Sequence, residues 1–171
     1  ATKYFTPSAT STVSFKDLRG EKDATWLYDN EEYTLEVDTT NLTGKRANVT
    51  LDWFVVEWID DENYNVINEG YTINGNKITL DGEALAEQGL NALYIAAVVM
   101  SNGYPTSDSA YVDVELLAYD PEAKIGGNEY LTLQDAIDNA VAGDTITLMK
   151  EVSIDGTIKI PAGLTVTLDL D

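Results

Sequence analysis

The densest cluster of oxygen ligands in the chain is Asp60-Asp61-Glu62-Asn63. Carboxylates gathered on one short flexible stretch suit a hard cation such as Ca²⁺, so Asp60, Asp61 and Glu62 are the candidate metal ligands. The D-x-D-x-D-G spacing of a calcium loop is absent, and a solvated hairpin turn is the stronger reading; no metal or other cofactor is expected. A second group is aromatic: Trp26, Tyr28, Trp58, Tyr64, Tyr71 and Tyr104. Exposed rings of this kind offer flat amphipathic contacts to a sugar, and Trp26, Trp58 and Tyr64 are the candidate ligand-binding residues. Strands favour Tyr and Trp for packing in any case, so core or edge packing is the competing and stronger reading. Close carboxylate pairs such as Glu31/Glu32 or Asp169/Asp171 have the composition of a glycosidase pair. Among 30 acidic residues such pairs arise by chance, and nothing marks a pocket that would hold one of them protonated.

The residues that are missing decide more. No His and no Cys occurs, which removes imidazole bases, thiol nucleophiles, disulfides and the usual zinc, copper and haem ligands. No nucleophile elbow, S-x-x-K motif or Gly-rich phosphate loop is seen. No catalytic residue is therefore assigned, and no enzymatic activity is expected of this stretch. Ten Lys and Arg face 30 Asp and Glu, a formal charge of −20 that repels nucleic acid and anionic lipid. Nucleic acid is excluded as a partner. A hydrophobic fraction of 44% is enough for a core, so the acidity reads as a solvated surface rather than as disorder. No membrane span or signal peptide is visible, and the opening at Ala1 without Met suggests a processed or trimmed chain. Asn41-Leu42-Thr43 and Asn48-Val49-Thr50 match the glycosylation sequon, relevant only to a eukaryotic source.

These residues must be positioned mainly by β structure. Residues 1–12 are rich in Thr, Ser and Ala and read as a linker or lead-in strand. From Val13 to about 118, short runs rich in Thr, Val, Ile and Tyr are separated by Asn, Asp and Gly; strands are expected near 12–18, 31–38, 47–59, 63–67, 71–73, 77–80, 91–100 and 109–117. The SNGYPTSD segment between the last two reads as a loop. Residues 83–87 read as one helical turn closed by Gly89. In the run 47–59, Val49, Leu51, Trp53 and Val55 alternate on one face while Phe54, Val56 and Trp58 load the other. One face must be core; the second is either covered by the chain or open to a partner. This cadence implies a β-sandwich over 13–118. Residues 119–129, with a Pro and a Gly-Gly, read as a linker. Leu133, Ala136, Ile137, Ala140 and Val141 then follow helical spacing, with Thr132 and Asp135 as a capping pair and Gly143 at the C-terminal end. Alternating strands follow around Ile146, Val152, Ile158 and Leu164–Leu170.

Two resemblances follow from these patterns. Trp53 in the third strand, the short turn at 81–89, Tyr94 opening the sixth strand as a candidate corner tyrosine, and the final alternating strand resemble the immunoglobulin-like domains of bacterial surface proteins. The stretch from Tyr130 to Asp171, with its helix, Gly143-Asp144-Thr145 turn and strand series, resembles the N-terminal cap and first coils of right-handed parallel β-helices of the pectate-lyase-like superfamily. Together they imply a mainly β chain: an immunoglobulin-like sandwich, then an incomplete solenoid start over 130–171 capped by one α-helix. They imply a secreted or cell-surface bacterial protein, here a non-catalytic structural or adhesive module presenting a β-helix to glycans or host surfaces. Two alternatives stand beside it: an accessory region of a polysaccharide lyase or hydrolase whose active site lies beyond residue 171, and a carbohydrate-binding module. The apolar strand at 164–170 is also expected to pair with a second copy, giving a homodimer.

Overall fold

A computed structural model describes residues 13–17, 26–40, 42, 48–154 and 156–170. The chain is mainly β, with several sheets and no barrel among the described residues. It divides into two compact units between Ala118 and Tyr119. The lead-in at 1–12 lies outside the described residues, as do Asn41 and Asp171.

In the first unit, strands β1 (Ser14–Asp17), β3 (Glu32–Asp38), β6 (Tyr71–Asn74) and β7 (Lys77–Asp81) form a four-stranded sheet in the order β1-β3-β7-β6. Strands β2 (Trp26–Tyr28), β4 (Val49–Trp58), β5 (Tyr64–Val66), β8 (Ala92–Ser101) and β9 (Tyr104–Leu117) form a five-stranded sheet in the order β2-β9-β8-β4-β5. Both sheets send alternate residues into one apolar cluster. Tyr33, Leu35, Ile78 and Leu80 come from the first sheet, and Leu27, Val55, Leu93, Ile95 and Val114 from the second. Several of these are fully buried, and removing each from water contributes about 2 kcal/mol. Trp53 packs at the edge of this cluster, its ring centroid 5.9 Å from that of Phe15, and its buried Nε1 finds no acceptor among the described residues.

Two local features depart from the expected pattern, and a third agrees with it. Strand β2, three residues long, was not anticipated because it pairs in parallel with β9, a long-range partnership that leaves no local signature. The segment read as a loop after Met100 is a tight hairpin instead: Ser101 pairs with Tyr104 around Asn102-Gly103, whose φ angles are 51° and 80°. Asn-Gly supplies the two left-handed positions of such a turn, so the signal was present in the sequence. The helical turn α1 (Gly82–Ala86) starts at Asp81, whose carboxylate accepts from the Ala84 N–H at 3.1 Å.

The second unit holds a four-stranded sheet in the order β11-β10-β12-β13, built from β10 (Ala123–Ile125), β11 (Asn128–Tyr130), β12 (Thr145–Leu148) and β13 (Thr167–Asp169). Residues 119–129, expected as a linker, thus carry β10, its turn and the first residues of β11, with Ala123 fully buried. Helix α2 (Leu133–Asn139) is capped as expected, Thr132 Oγ1 accepting from the Asp135 N–H at 3.1 Å. It ends earlier than the apolar spacing predicts: Ala140 is already extended, which leaves Val141 exposed.

Of the alternating strands expected after Gly143, only β12 and β13 form ladders, and they pair in parallel. Val152, Ile158, Leu164 and Val166 still pack against the core of Ala123, Leu133, Ala136, Ile137 and Ile146. The backbone of Lys159 bonds to the Gln134 side chain instead, its N–H donating to Oε1 and its C=O accepting from Nε2, each at 2.9 Å. The expected alternation is inward only in part, since Ile154, Ile160, Leu168 and Leu170 are exposed, and the choice of a side-chain amide over a neighbouring strand was not legible.

Gly82 offers a sharp test of the first unit's packing. Its N–H donates to the Glu31 carbonyl at 3.0 Å. A Cβ there would stand 2.1 Å from the Tyr28 carbonyl oxygen, so the backbone must shift to admit one. Gly82→Ala is expected to lower the unfolding free energy by about 3 kcal/mol, read as an earlier midpoint in urea. Gly89→Ala, which meets only the left-handed φ of 73° and open space, is expected to cost about 1 kcal/mol.

Candidate ligand-binding face

Strand β4 has two apolar faces. Leu51, Trp53 and Val55 enter or flank the core clusters. The intervening residues lie on the outer face of the five-stranded sheet, and ladder partners identify their neighbours, because directly opposed residues share a face. Val56 stands opposite Tyr94 and Val66, Trp58 opposite Tyr64, and Phe54 opposite Ala96, which in turn faces Tyr111. On the far edge Trp26 lies beside Glu115 and Tyr28 beside Leu117. Seven aromatic side chains (Trp26, Tyr28, Phe54, Trp58, Tyr64, Tyr94 and Tyr111) therefore belong to one face of one sheet.

Four of them form a continuous row across four strands. Tyr64 on β5 meets Trp58 on β4 at a centroid distance of 5.4 Å and an interplanar angle of 74°. Trp58 meets Tyr94 on β8 at 5.9 Å and 69°, and Tyr94 meets Tyr111 on β9 at 6.0 Å and 20°. Trp26 and Tyr28 form a separate pair on β2 at 5.0 Å. Beneath the row, Val56 and Ala96 are only 1% and 2% exposed although they belong to neither core cluster of this unit. Their ladder neighbours on this face include Tyr94, opposite Val56, and Tyr111, opposite Ala96. Three rings of the row remain open to solvent: Trp58 is 41%, Tyr64 44% and Tyr111 48% exposed.

The charge on this sheet is of one sign. Its five strands contain no Lys and no Arg, and they carry Asp52, Glu57, Asp108, Asp113 and Glu115. Asp113 lies directly opposite Tyr94. Partial burial, with the Asp113 carboxylate and Tyr111 adding to it, pushes the Tyr94 phenol up to about 12. Such a row can offer ring faces to the C–H face of a flat, polar ligand and carboxylate oxygens to its hydroxyl groups.

The sequence candidates divide accordingly. Trp58 and Tyr64 sit in the row, and Trp26 shares the face from the opposite edge. Tyr71 does not: its hydroxyl donates to the Ile67 carbonyl at 3.0 Å, and it packs against the core. Tyr104 stands at the β8–β9 hairpin, 77% exposed and outside the row. Tyr94 lies within the row. Tyr94 and Tyr111 were not among the candidates; for Tyr111 the signal was the outward phase of the final alternating strand.

The acidic candidates are not gathered into a site. Asp60 is turned on its own hairpin, Oδ1 accepting from the N–H groups of Glu62 at 2.9 Å and Asn63 at 2.8 Å, and both carboxylate oxygens from Asn63 Nδ2. Those donors, the Asn63 amide first, hold its carboxyl below the usual range. Among the described residues no group of three or more acidic side chains is arranged to hold a metal ion. Glu31 accepts from the Tyr28 N–H at 3.1 Å, while Glu32 sits in β3 opposite Asp81. Asp169 lies in β13, a strand at the sheet edge with Leu168 and Leu170 exposed beside it. No described helix is long and apolar enough to cross a membrane. Comparison with family models, curated proteins and solved structures finds no match for this chain.

The Tyr94 environment gives a pH test. Because its folded pKa is raised above the ordinary value of 10, the protonated phenol favours the folded state, and this contribution fades as pH rises from about 10 through about 12. Phenolate absorbance of the native protein is expected to show a late-titrating component that disappears in Tyr94→Phe; an unchanged curve in that variant would place the late phenol elsewhere.

Proposed function

We propose that this chain is a non-catalytic adhesive module of a secreted or cell-surface bacterial protein, and that its aromatic sheet face binds a glycan. In this reading the first unit is an immunoglobulin-like β-sandwich and the second begins a right-handed parallel β-helix. The sandwich is supported by two sheets that share one apolar cluster, the β-helix by the parallel pairing of β12 and β13 beside a capped helix. The observation that carries the binding function is the row Tyr64, Trp58, Tyr94 and Tyr111 across four strands, three of its rings open to solvent. Large aromatic surfaces left in water on a folded domain mark sites of interaction. Tyr and Trp serve such sites well because they add contact area with few rotatable bonds.

The acidic character of the chain and its lack of Cys and His fit an exported module that works by contact rather than by chemistry. On a glycan array the protein is expected to bind at least one polysaccharide or oligosaccharide. Trp58→Ala should weaken that binding tenfold or more, a loss within the range of a central aromatic contact, while circular dichroism and thermal midpoint show the domain still folded. Absence of binding to every glycan on the array would rule the function out.

A further inference from the structure

The same face also restricts the class of glycan, an inference that rests on the binding function just proposed. We infer that the occupant is a single chain of a neutral polysaccharide laid across β5, β4, β8 and β9, and that acidic glycans are rejected.

Spacing gives the direction. Successive ring centroids in the row are 5.4, 5.9 and 6.0 Å apart, close to the advance of one pyranose unit, and the row crosses the strands rather than following one of them. A chain running along a strand would leave the row after one ring. Angle gives the physical form. The planes turn by 74° and 69° on either side of Trp58, so the rings share no common plane. A flat crystalline polymer surface needs coplanar rings and would touch only the highest edge. A single chain can rotate about its glycosidic bonds and present a sugar face to each ring in turn.

Charge gives the class. Asp52, Asp113 and Glu115 share the outer face with the rings, and no Lys or Arg lies in any of the five strands. A polyuronate or sulfated chain would place an anion beside these carboxylates in a protein already carrying −20, with no cation on the sheet to compensate. Hydroxyl groups of a neutral sugar instead donate to carboxylates, and hydrogen bonds of that kind are stronger than neutral ones. Val56 and Ala96, small aliphatic residues of the face, are buried, and the rings and carboxylates stay open together with Val66, 59% exposed on β5.

Affinity electrophoresis of the whole chain at low ionic strength tests the inference, with gels containing hydroxyethylcellulose, galactomannan or xylan against gels containing polygalacturonate or chondroitin sulfate. Retardation by at least one neutral polymer and by neither acidic one is expected. Trp58→Ala and Tyr111→Ala should each reduce it tenfold or more, Trp58→Phe should restore part of it, and Tyr104→Ala should leave it unchanged.

Stronger retardation by an acidic polymer would overturn the neutral class while leaving glycan binding intact. Binding to microcrystalline cellulose without any to soluble chains would overturn the single-chain form. Retardation by none of the polymers, together with a dimer in light scattering that Trp58→Ala dissolves, would assign the face to a second copy and overturn both readings.

Discussion

Strand β4 is apolar on both sides, and side chains on a strand alternate with period two, so Trp53 and Val55 cannot be buried on the same surface as Phe54, Val56 and Trp58. Two covers are required. The four-stranded sheet, through Tyr33, Leu35, Ile78 and Leu80, supplies side chains to the cluster that Val55 joins. On the other face Val56 and Ala96 are buried, and their ladder neighbours include Tyr94 and Tyr111. The exposed row crosses the outer side of a strand whose inner side enters the core.

Contacts within the row hold its rings against one another. Tyr94 lies between Trp58 and Tyr111, and Trp58 is held edge-on between two tyrosines, so each ring is oriented by its neighbours before any ligand arrives. Binding groups fixed in advance lose little conformational entropy on association. The β8–β9 hairpin contributes from a distance. Its Asn102-Gly103 turn sets the register that puts Tyr111 opposite Ala96 and Asp113 opposite Tyr94, with one irregularity between Val98 and Met100. Ring row and carboxylates thus depend on the same turn.

The second unit is organised by different means. Its core is small, and between β12 and β13 Val152, Ile158, Leu164 and Val166 pack inward without forming a ladder while Ile154 and Ile160 stay exposed, the segment held in part by the Gln134 amide. The parallel pair β12 and β13 is the feature on which a stacked-coil reading rests. Leu168 and Leu170 at the sheet edge stay exposed.

What the amino-acid sequence determined by itself is whatever depends on local periodicity and on residue types. The absence of His and Cys removes whole classes of chemistry, and the acidic excess sets the sign of the surface. Alternation in β3, β7 and part of β9, and the Thr132 and Asp81 caps, follow from neighbours a few residues apart. Tertiary structure alone decided which outward residues meet. Trp58, Tyr94 and Tyr111 lie far apart in the chain and become a row only through the β4-β8-β9 register. Strand β2 and the Gln134–Lys159 bonds were illegible for the same reason. Period-two patterning says which side of a strand is apolar, but the strand that lies next to it is chosen by the free energy of the assembled sheet, to which every strand contributes.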